Sequence, residues 1–382
     1  MANNKVGSRI ARIRVLALGA ALGIALLCPQ SARAIPIFAR EYGVTCEKCH
    51  SVIPELNAFG ADFVAFGYRI PGVKPGAVFP LSIKVNVVDS SERQGAGPDG
   101  AGLPKAIVDE IELFTAGAIG SRASYFVEQY AVDGGEHGLI RDAWVTDRVN
   151  PWQSRIPLYV QAGSFTLPLP VDPETFRESY QGYALFTQSV GGNPFTFFDP
   201  KIGLRLSVGD PLKGLNGQIF VGPGHDRQSG LATIGLDTMV VVQDAFGKFV
   251  LTGYRYAGAR PSLQGALDTF HRIGYAITSG QWGRFAVESV LQTGWDSQCG
   301  VRIAMGCSSS GGFTQVRYEL TPRLFGLARY EGTQDGLGGF LRDGVLLVGY
   351  SPNESSRITV EDVIQHVPFT SHTFNLQFTK AL

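Results

Sequence analysis

Cys46-Glu47-Lys48-Cys49-His50 reads C-x-x-C-H, a spacing at which two thiols and one imidazole can serve a single tetrapyrrole. Two thiols one helical turn apart can add to the two vinyl groups along one edge of a porphyrin. The histidine directly after the second thiol then swings under the ring and gives the iron a strong-field nitrogen ligand. The motif predicts one covalent haem c, with thioethers at Cys46 and Cys49 and His50 as axial ligand. The competing chemistries are a redox dithiol and half of a zinc site. Against them, no second C-x-x-C stands in the chain, and no βαβ pattern surrounds this one.

The other face of the iron has no obvious ligand. No Met or His follows His50 until His137, and the remaining candidates, Met239, Met305, His225, His271, His366 and His372, are far along the chain. Either one of them reaches back, or the iron is five-coordinate or water-ligated.

Haem attachment of this kind takes place outside the cytoplasm, and the first residues agree. Lys5, Arg9, Arg12 and Arg14 form a basic leader, Val15 to Leu27 is an unbroken apolar run, and Ala32-Arg33-Ala34 is a small-x-small cleavage pattern. These predict a signal peptide over 1–34; a retained anchor is the alternative. Cys28 would be discarded with it, since Leu27 and Pro29 are poor neighbours for lipid attachment. Four Cys then remain, in two close pairs, in a compartment that permits oxidation.

The elements that must position the motif fall into two parts. Over 35–75, Leu56, Phe59, Phe63 and Phe66 recur at helical spacing, ended by Gly67 and Pro71. That stripe either faces the porphyrin or is plain core. The segment is below the size at which a chain usually folds alone, so it needs a wall supplied by the rest of the protein and is expected to act as a plug.

Residues 80–382 alternate with period two. Leu81, Ile83, Val85 and Val87 interleave with polar residues, as do Ile202 to Val208, Thr314 to Leu320 and Phe374 to Phe378. About sixteen such segments are legible. Short connections (Ile119 to Arg122, Asp210 to Gly214, Asp244 to Lys248, Ser279 to Arg284, Thr321 to Arg323) alternate with long ones (Asp89 to Lys105, Gly222 to Gly230, Ala257 to Asp268, Asp296 to Gly311, Glu331 to Gly344). Short turns on one rim and long loops on the other predict an all-β, outer-membrane antiparallel barrel of about 16 strands, rather than a soluble sandwich. An even count leaves both barrel ends beside the haem segment.

Composition agrees. The 382 residues carry 33 basic and 33 acidic side chains, so there is no basic surplus for nucleic acid. Mean hydropathy near zero, 48 Gly and 37 Phe plus Tyr suit lipid-facing positions averaged with lumen-facing ones. No P-loop, dinucleotide fingerprint or hydrolase triad order stands out.

The longest insertion, Ser164 to Pro200, is the third long connection. It carries Phe165, Phe176, Tyr180, Tyr183, Phe186, Phe195, Phe197 and Phe198, and either folds into the lumen or caps it from outside. Cys299 and Cys307 read as a disulfide stapling an external loop; a metal site assisted by Asp296 is the lesser alternative. Lumen charges Glu110, Glu112, Arg205, Glu288, Arg317 and Glu319 either pair with one another or meet haem propionates.

Pro36, Phe38-Ala39-Arg40, Gly43, Cys46, Cys49-His50, Leu56, Phe59-Gly60, Phe63 and Gly67-Tyr68 together resemble the N-terminal haem segment of the fused monohaem cytochrome c–porins of bacterial outer membranes. The similarity is dense over about 35–70 and otherwise rests on barrel periodicity, size and domain order. The best-known members of that family oxidise extracellular iron(II). The resemblance implies an outer-membrane electron conduit and, if it is an enzyme, an Fe(II):cytochrome c oxidoreductase. It would run between extracellular Fe(II), or another donor, and a periplasmic cytochrome or copper protein. The alternatives are a porin with a structural or regulatory haem, and a cytochrome–porin with a non-iron partner.

Overall fold

The computed structural model describes residues 36–382 except 71, 92–105, 151–153, 155, 191–192, 211–212, 224–234, 262–266, 280–282, 300–304 and 367–369. The expected signal peptide, Cys28 and His225 lie outside the described residues. Among those described there are three short α-helices, one 3-10 turn, sixteen long strands and one two-residue strand.

The strands run in chain order. First come β1 (Ser82–Ser90), β2 (Ala106–Ile119), β3 (Ala123–Asp133), the short β4 (Glu136–His137), β5 (Ile140–Arg148) and β6 (Leu158–Phe165). After the long insertion follow β7 (Lys201–Asp210), β8 (Lys213–Gly222), β9 (Asp237–Phe246), β10 (Phe249–Pro261), β11 (Leu267–Ser279) and β12 (Phe285–Cys299). The chain ends with β13 (Met305–Thr321), β14 (Leu324–Gln334), β15 (Phe340–Asn353), β16 (Ser356–His366) and β17 (Thr370–Ala381). Neighbours in sequence pair antiparallel throughout, with β3 also pairing β5 past the small β4. The sheet closes because β1 pairs both β2 and β17, with Lys84 opposite Ala381 and Ser90 opposite Asn375. It is a sixteen-stranded antiparallel barrel, which leaves no open edge.

The wall has inverted polarity. Along β13, Phe313, Gln315, Arg317 and Glu319 are buried, while Thr314, Val316, Tyr318 and Leu320 face outward and exposed. Leu204, Leu251, Leu291, Leu346 and Val348 likewise stand 45–65 % exposed. Water would not tolerate so continuous an apolar exterior around charged interior positions; lipid requires it. Outward aromatics gather near the rims, as with Phe285 against Tyr318 at 4.7 Å.

The strands are longer than their sequence pattern suggests. Within the loops expected over Ala257–Asp268, Asp296–Gly311 and Glu331–Gly344, strands continue as paired ladders: β10 reaches Pro261 and β11 starts at Leu267, β12 reaches Cys299 and β13 starts at Met305, and β14 reaches Gln334 and β15 starts at Phe340. There the wall leaves the apolar slab. Outward residues such as Ser308 and Ser310 no longer need to be apolar, and the period-two signal fades.

The insertion between β6 and β7 lies inside the lumen rather than over it. Its Tyr183, Phe186, Phe195 and Phe197 are buried with Phe165 at the end of β6 and with inward-facing Phe220, Met239, Tyr254, Tyr256, Phe270 and Phe313. The short helix α3 (Ala184–Thr187) of this insertion contacts β13 and β14.

Candidate functional site

The C-x-x-C-H turn is built from three local elements: α1 (Pro36–Tyr42), a 3-10 turn over Cys46–Lys48, and α2 (Ala58–Ala65). Asn57 caps α2, its side chain accepting from the Gly60 amide at 2.9 Å. The Asn57 amide in turn donates to the Cys49 carbonyl, also at 2.9 Å. Gly60 is where α2 crosses the motif: a Cβ there would sit 2.1 Å from the Cys49 carbonyl oxygen, so only glycine allows the crossing.

After α2 the chain turns through two left-handed residues, Gly67 (φ 67°) and Tyr68 (φ 60°). A side chain at 67 would meet Thr146, and the strained Tyr68 backbone is held by its ring. That ring stacks on Phe38 at 4.5 Å, Phe126 at 5.3 Å and Trp144 at 5.7 Å, joining segment to wall.

Further contacts seat the segment within the barrel. The Ile37 amide donates to Ser82 Oγ at 2.9 Å. Arg69 donates to the carbonyls of Ile119, Gly120 and Ala123 at the β2–β3 turn. The Cys46 amide reaches Glu354, in the β15–β16 turn, at 3.4 Å. The motif therefore sits at the rim that carries the short turns and both ends of the barrel strands, with Glu47 and Lys48 exposed.

Two clefts meet at His50. One, of about 540 Å³, is apolar and lined by Cys46, Cys49 and His50 together with Phe38, Leu56, Phe59, Phe63 and Tyr68. The other, of about 900 Å³, combines charged side chains (Lys84, Glu110, Glu174, Arg177, Arg357) with apolar ones such as Ile53, Ile83 and Phe114. Phe176, from the lumen insertion, borders both. The His50 Nδ1 lies 2.9 Å from the Pro54 carbonyl and donates to it, which leaves Nε2 as the available ligand atom. Burial pushes the imidazole down to about 4, so it is neutral at physiological pH, the form that binds metal.

These features fit a haem on this motif. Two thiols and a correctly tautomerised imidazole border an apolar cleft, and a cleft carrying charged side chains adjoins it. A porphyrin is itself apolar over most of its disc and carboxylated along one edge.

The expected helical stripe divides. Leu56, Phe59 and Phe63 line the apolar cleft, but Phe66, past the end of α2, packs on Tyr159 at 6.2 Å instead. None of the described candidates for a sixth ligand lines either cleft. Met239 is buried in the opposite aromatic cluster. His271 stacks on Trp295, and His372 on Phe374 beside Asp362, both among outward-facing positions. His366 lies against Thr370, and His137 is exposed in β4.

Cys299 and Cys307 form a disulfide with Cα atoms 5.9 Å apart, and they lie within β12 and β13 rather than in a loop. Asp296 does not serve a metal there: it pairs with Arg272 at 2.8 Å and accepts from Asn193 at 2.8 Å.

The lumen charges pair chiefly with protein. Lys84 bridges to Glu112, and Asn86 donates to Glu110. Gln315 donates to Glu288 at 3.2 Å. Arg317 is the junction of all three layers, pairing with Glu319 of the wall, Glu178 of the insertion and Glu55 of the N-terminal segment. Arg205 has its guanidinium over the Phe165 ring at 5.2 Å. Arg177 and Arg357 were not apparent from the sequence. The first lies in an irregular insertion, and the second becomes a cleft residue only through barrel closure.

The closed barrel, its apolar exterior and its lumen-folded third insertion define the chain as an outer-membrane β-barrel of the porin fold. Solved structures agree at the level of fold. The anion-selective porin of Comamonas acidovorans superimposes with TM-score 0.56 at 10 % identity, covering 80 % of this chain and 99 % of that one. For OmpF of Salmonella typhi the values are 0.54 and 13 %, over 79 % and 97 %. For the outer-membrane channel DcaP of Acinetobacter baumannii they are 0.52 and 12 %, over 79 % and 96 %. No protein-family model matches the chain, and no curated protein does. The protein is located in the bacterial outer membrane; the short-turn rim faces the periplasm and the opposite rim the exterior.

Proposed function

We propose that this chain is an outer-membrane electron conduit of the fused monohaem cytochrome c–porin type. It carries one haem c on Cys46 and Cys49, with His50 as axial ligand. Electrons pass between an extracellular donor, Fe(II) in the leading version, and a soluble periplasmic cytochrome or copper protein. The observation that carries this reading is a C-x-x-C-H turn seated in the periplasmic mouth of a porin-fold barrel, bordering an apolar cleft.

When bound, the group supplies one-electron chemistry at its iron. The chain's own residues do the rest. Pro54 holds the His50 tautomer; Phe38, Phe59, Phe63 and Tyr68 exclude water from the cleft. The exposed Glu47–Lys48 turn brings the motif to the periplasmic surface, within reach of a soluble carrier.

A second reading, a channel whose haem is structural, draws on one specific feature. A cleft of about 1220 Å³ runs beside the segment along the β5–β8 wall, lined by Gln161, Arg205, Asn216 and Gln218 among others. Detergent-purified holoprotein separates the two. The conduit predicts a Soret band that shifts to the reduced position on adding Fe(II), with low conductance in a planar bilayer. Conductance without reduction across a range of pH removes the iron reading, and absence of covalent haem from the wild-type chain removes the conduit altogether.

A further inference from the structure

The cleft beside His50 is lined by two arginines that make no direct ion pair. Arg357, in β16, is only 7 % exposed, yet its guanidinium donates to neutral acceptors: the Glu178 backbone carbonyl at 3.2 Å and Gln377 Oε1 at 3.2 Å. Arg177, half-buried in the lumen insertion, donates to the backbone carbonyls of Pro173, Ser179 and Tyr180 at 2.7–3.0 Å. Neither makes a direct ion pair with a carboxylate among the described residues; Glu110 and Glu174, in the same cleft, act on Arg177 through space and Glu178 on Arg357, but their direct partners lie elsewhere. Glu110 accepts from Asn86, Glu174 pairs with Arg141, and Glu178 pairs with Arg317. Burying a cation without a direct counter-charge is costly. Both arginines border the same cleft, which meets the apolar cleft of Cys46 and Cys49 at His50.

We propose that Arg177 and Arg357 form a carboxylate-binding site that receives the propionates of a haem attached at Cys46 and Cys49. This rests on the haem reading above and goes beyond it, because it assigns the anionic edge of the group to two residues outside the motif. One arginine comes from the wall and one from the lumen insertion, so the site exists only when the insertion is folded inward. Guanidinium groups suit the task because they stay charged and offer paired donors to a carboxylate.

The test is spectroelectrochemical titration of full-length holoprotein, comparing wild type with Arg357→Gln, Arg177→Gln and the double variant. Loss of a cation beside the group favours its oxidised, more positive form. The midpoint potential should therefore fall in each variant and furthest in the double. A new pH dependence should appear near neutrality as the propionates lose their charge partners, and Arg→Lys should restore most of the wild-type potential. If Arg357→Gln fails to fold, as judged by heat-modifiable mobility, Arg177→Gln carries the test, since its position is outside the wall. An unchanged potential and pH profile in folded variants that keep their haem overturns the proposal while leaving the conduit reading intact. Wild-type chain without covalent haem overturns both. A site for free dicarboxylates instead would show as succinate binding to the Cys46→Ser/Cys49→Ser chain and to holoprotein alike; binding to holoprotein also overturns the proposal.

Discussion

Two segments fill this barrel, and they are held in different ways. The insertion between β6 and β7 is tethered at both ends and buries a run of aromatics against β8 to β13. It is fixed further by charged groups from distant strands. Glu361 accepts from the Tyr180 and Gln181 amides at 3.0 Å, Glu331 accepts from the Ala184 amide at 2.7 Å, and Arg329 donates to Ser179, Gln181 and Gly182. The N-terminal segment continues into the wall at its C-terminal side. It buries two smaller clusters, one against β2, β3 and β5 and one at Val52 against Phe325, Leu327 and Leu347, and adds hydrogen bonds from Arg69 and Ile37 and the Glu55–Arg317 ion pair. The first arrangement resists being pulled apart; the second rests on smaller apolar clusters. The haem proposed above would add core to this segment.

Breaking the stronger filling should have the largest effect. Phe195 stacks on Tyr256 at 4.5 Å and touches Phe270 and Phe197 at about 5 Å. Phe195→Ala removes a fully packed ring, a loss of about 3–5 kcal/mol at comparable buried sites. The expected outcome is a lower denaturant midpoint for the purified barrel and higher single-channel conductance, with the haem spectrum unchanged. A change in the Soret band would mean that the two fillings are one cooperative unit, coupled through Phe176 and the Arg317 junction.

Breaking the weaker filling is a smaller perturbation with a different signature. Arg69→Ala deletes charge-assisted bonds to backbone carbonyls, about 1.5–3 kcal/mol of docking for the segment. Barrel stability should hardly move. Conductance should rise, because the cleft along β5–β8 widens as the segment loosens. Protease should cut near 66–76 faster than in wild type. Unaltered proteolysis and conductance would show that the Tyr68 stack, the Val52 cluster and the Glu55–Arg317 pair hold the segment without Arg69.

The contrast also explains what the sequence could reveal. C-x-x-C-H is local, and period-two alternation is forced by lipid on one face and polar lumen on the other, so both were readable residue by residue. The inward fold of the insertion was open, because aromatic content is the same for a lumen plug and an external cap. What decides it are acceptors 147 to 181 positions away, such as Glu331 for Ala184 and Glu361 for Tyr180. Phe66 broke from its stripe for a comparable reason: α2 ends at Ala65, so the helical period no longer governs where residue 66 points. The overestimated loops arose where strands leave the membrane and their outward residues stop being apolar.

Those protruding strands carry the smallest expected effect. Cys299 and Cys307 enclose a short ring, for which chain entropy alone gives about 2–3 kcal/mol at most. Most of that is already supplied here, because the β12–β13 ladder runs unbroken from Phe285 opposite Tyr318 to Asp296 opposite Cys307 and brings the two chains together without help. The Cys299→Ser/Cys307→Ser variant should therefore lose less than the entropic figure, with a small drop in thermal midpoint. Conductance and haem spectrum should stay as in wild type, since the bond lies at the extracellular end and the motif at the periplasmic one. The neighbouring Arg272–Asp296–Asn193 cluster is the one route by which the effect could spread, because it ties β11 and β12 to the lumen insertion. A conductance change in this variant would therefore place the disulfide among the supports of the stronger filling, and would make the extracellular mouth responsive to reductant.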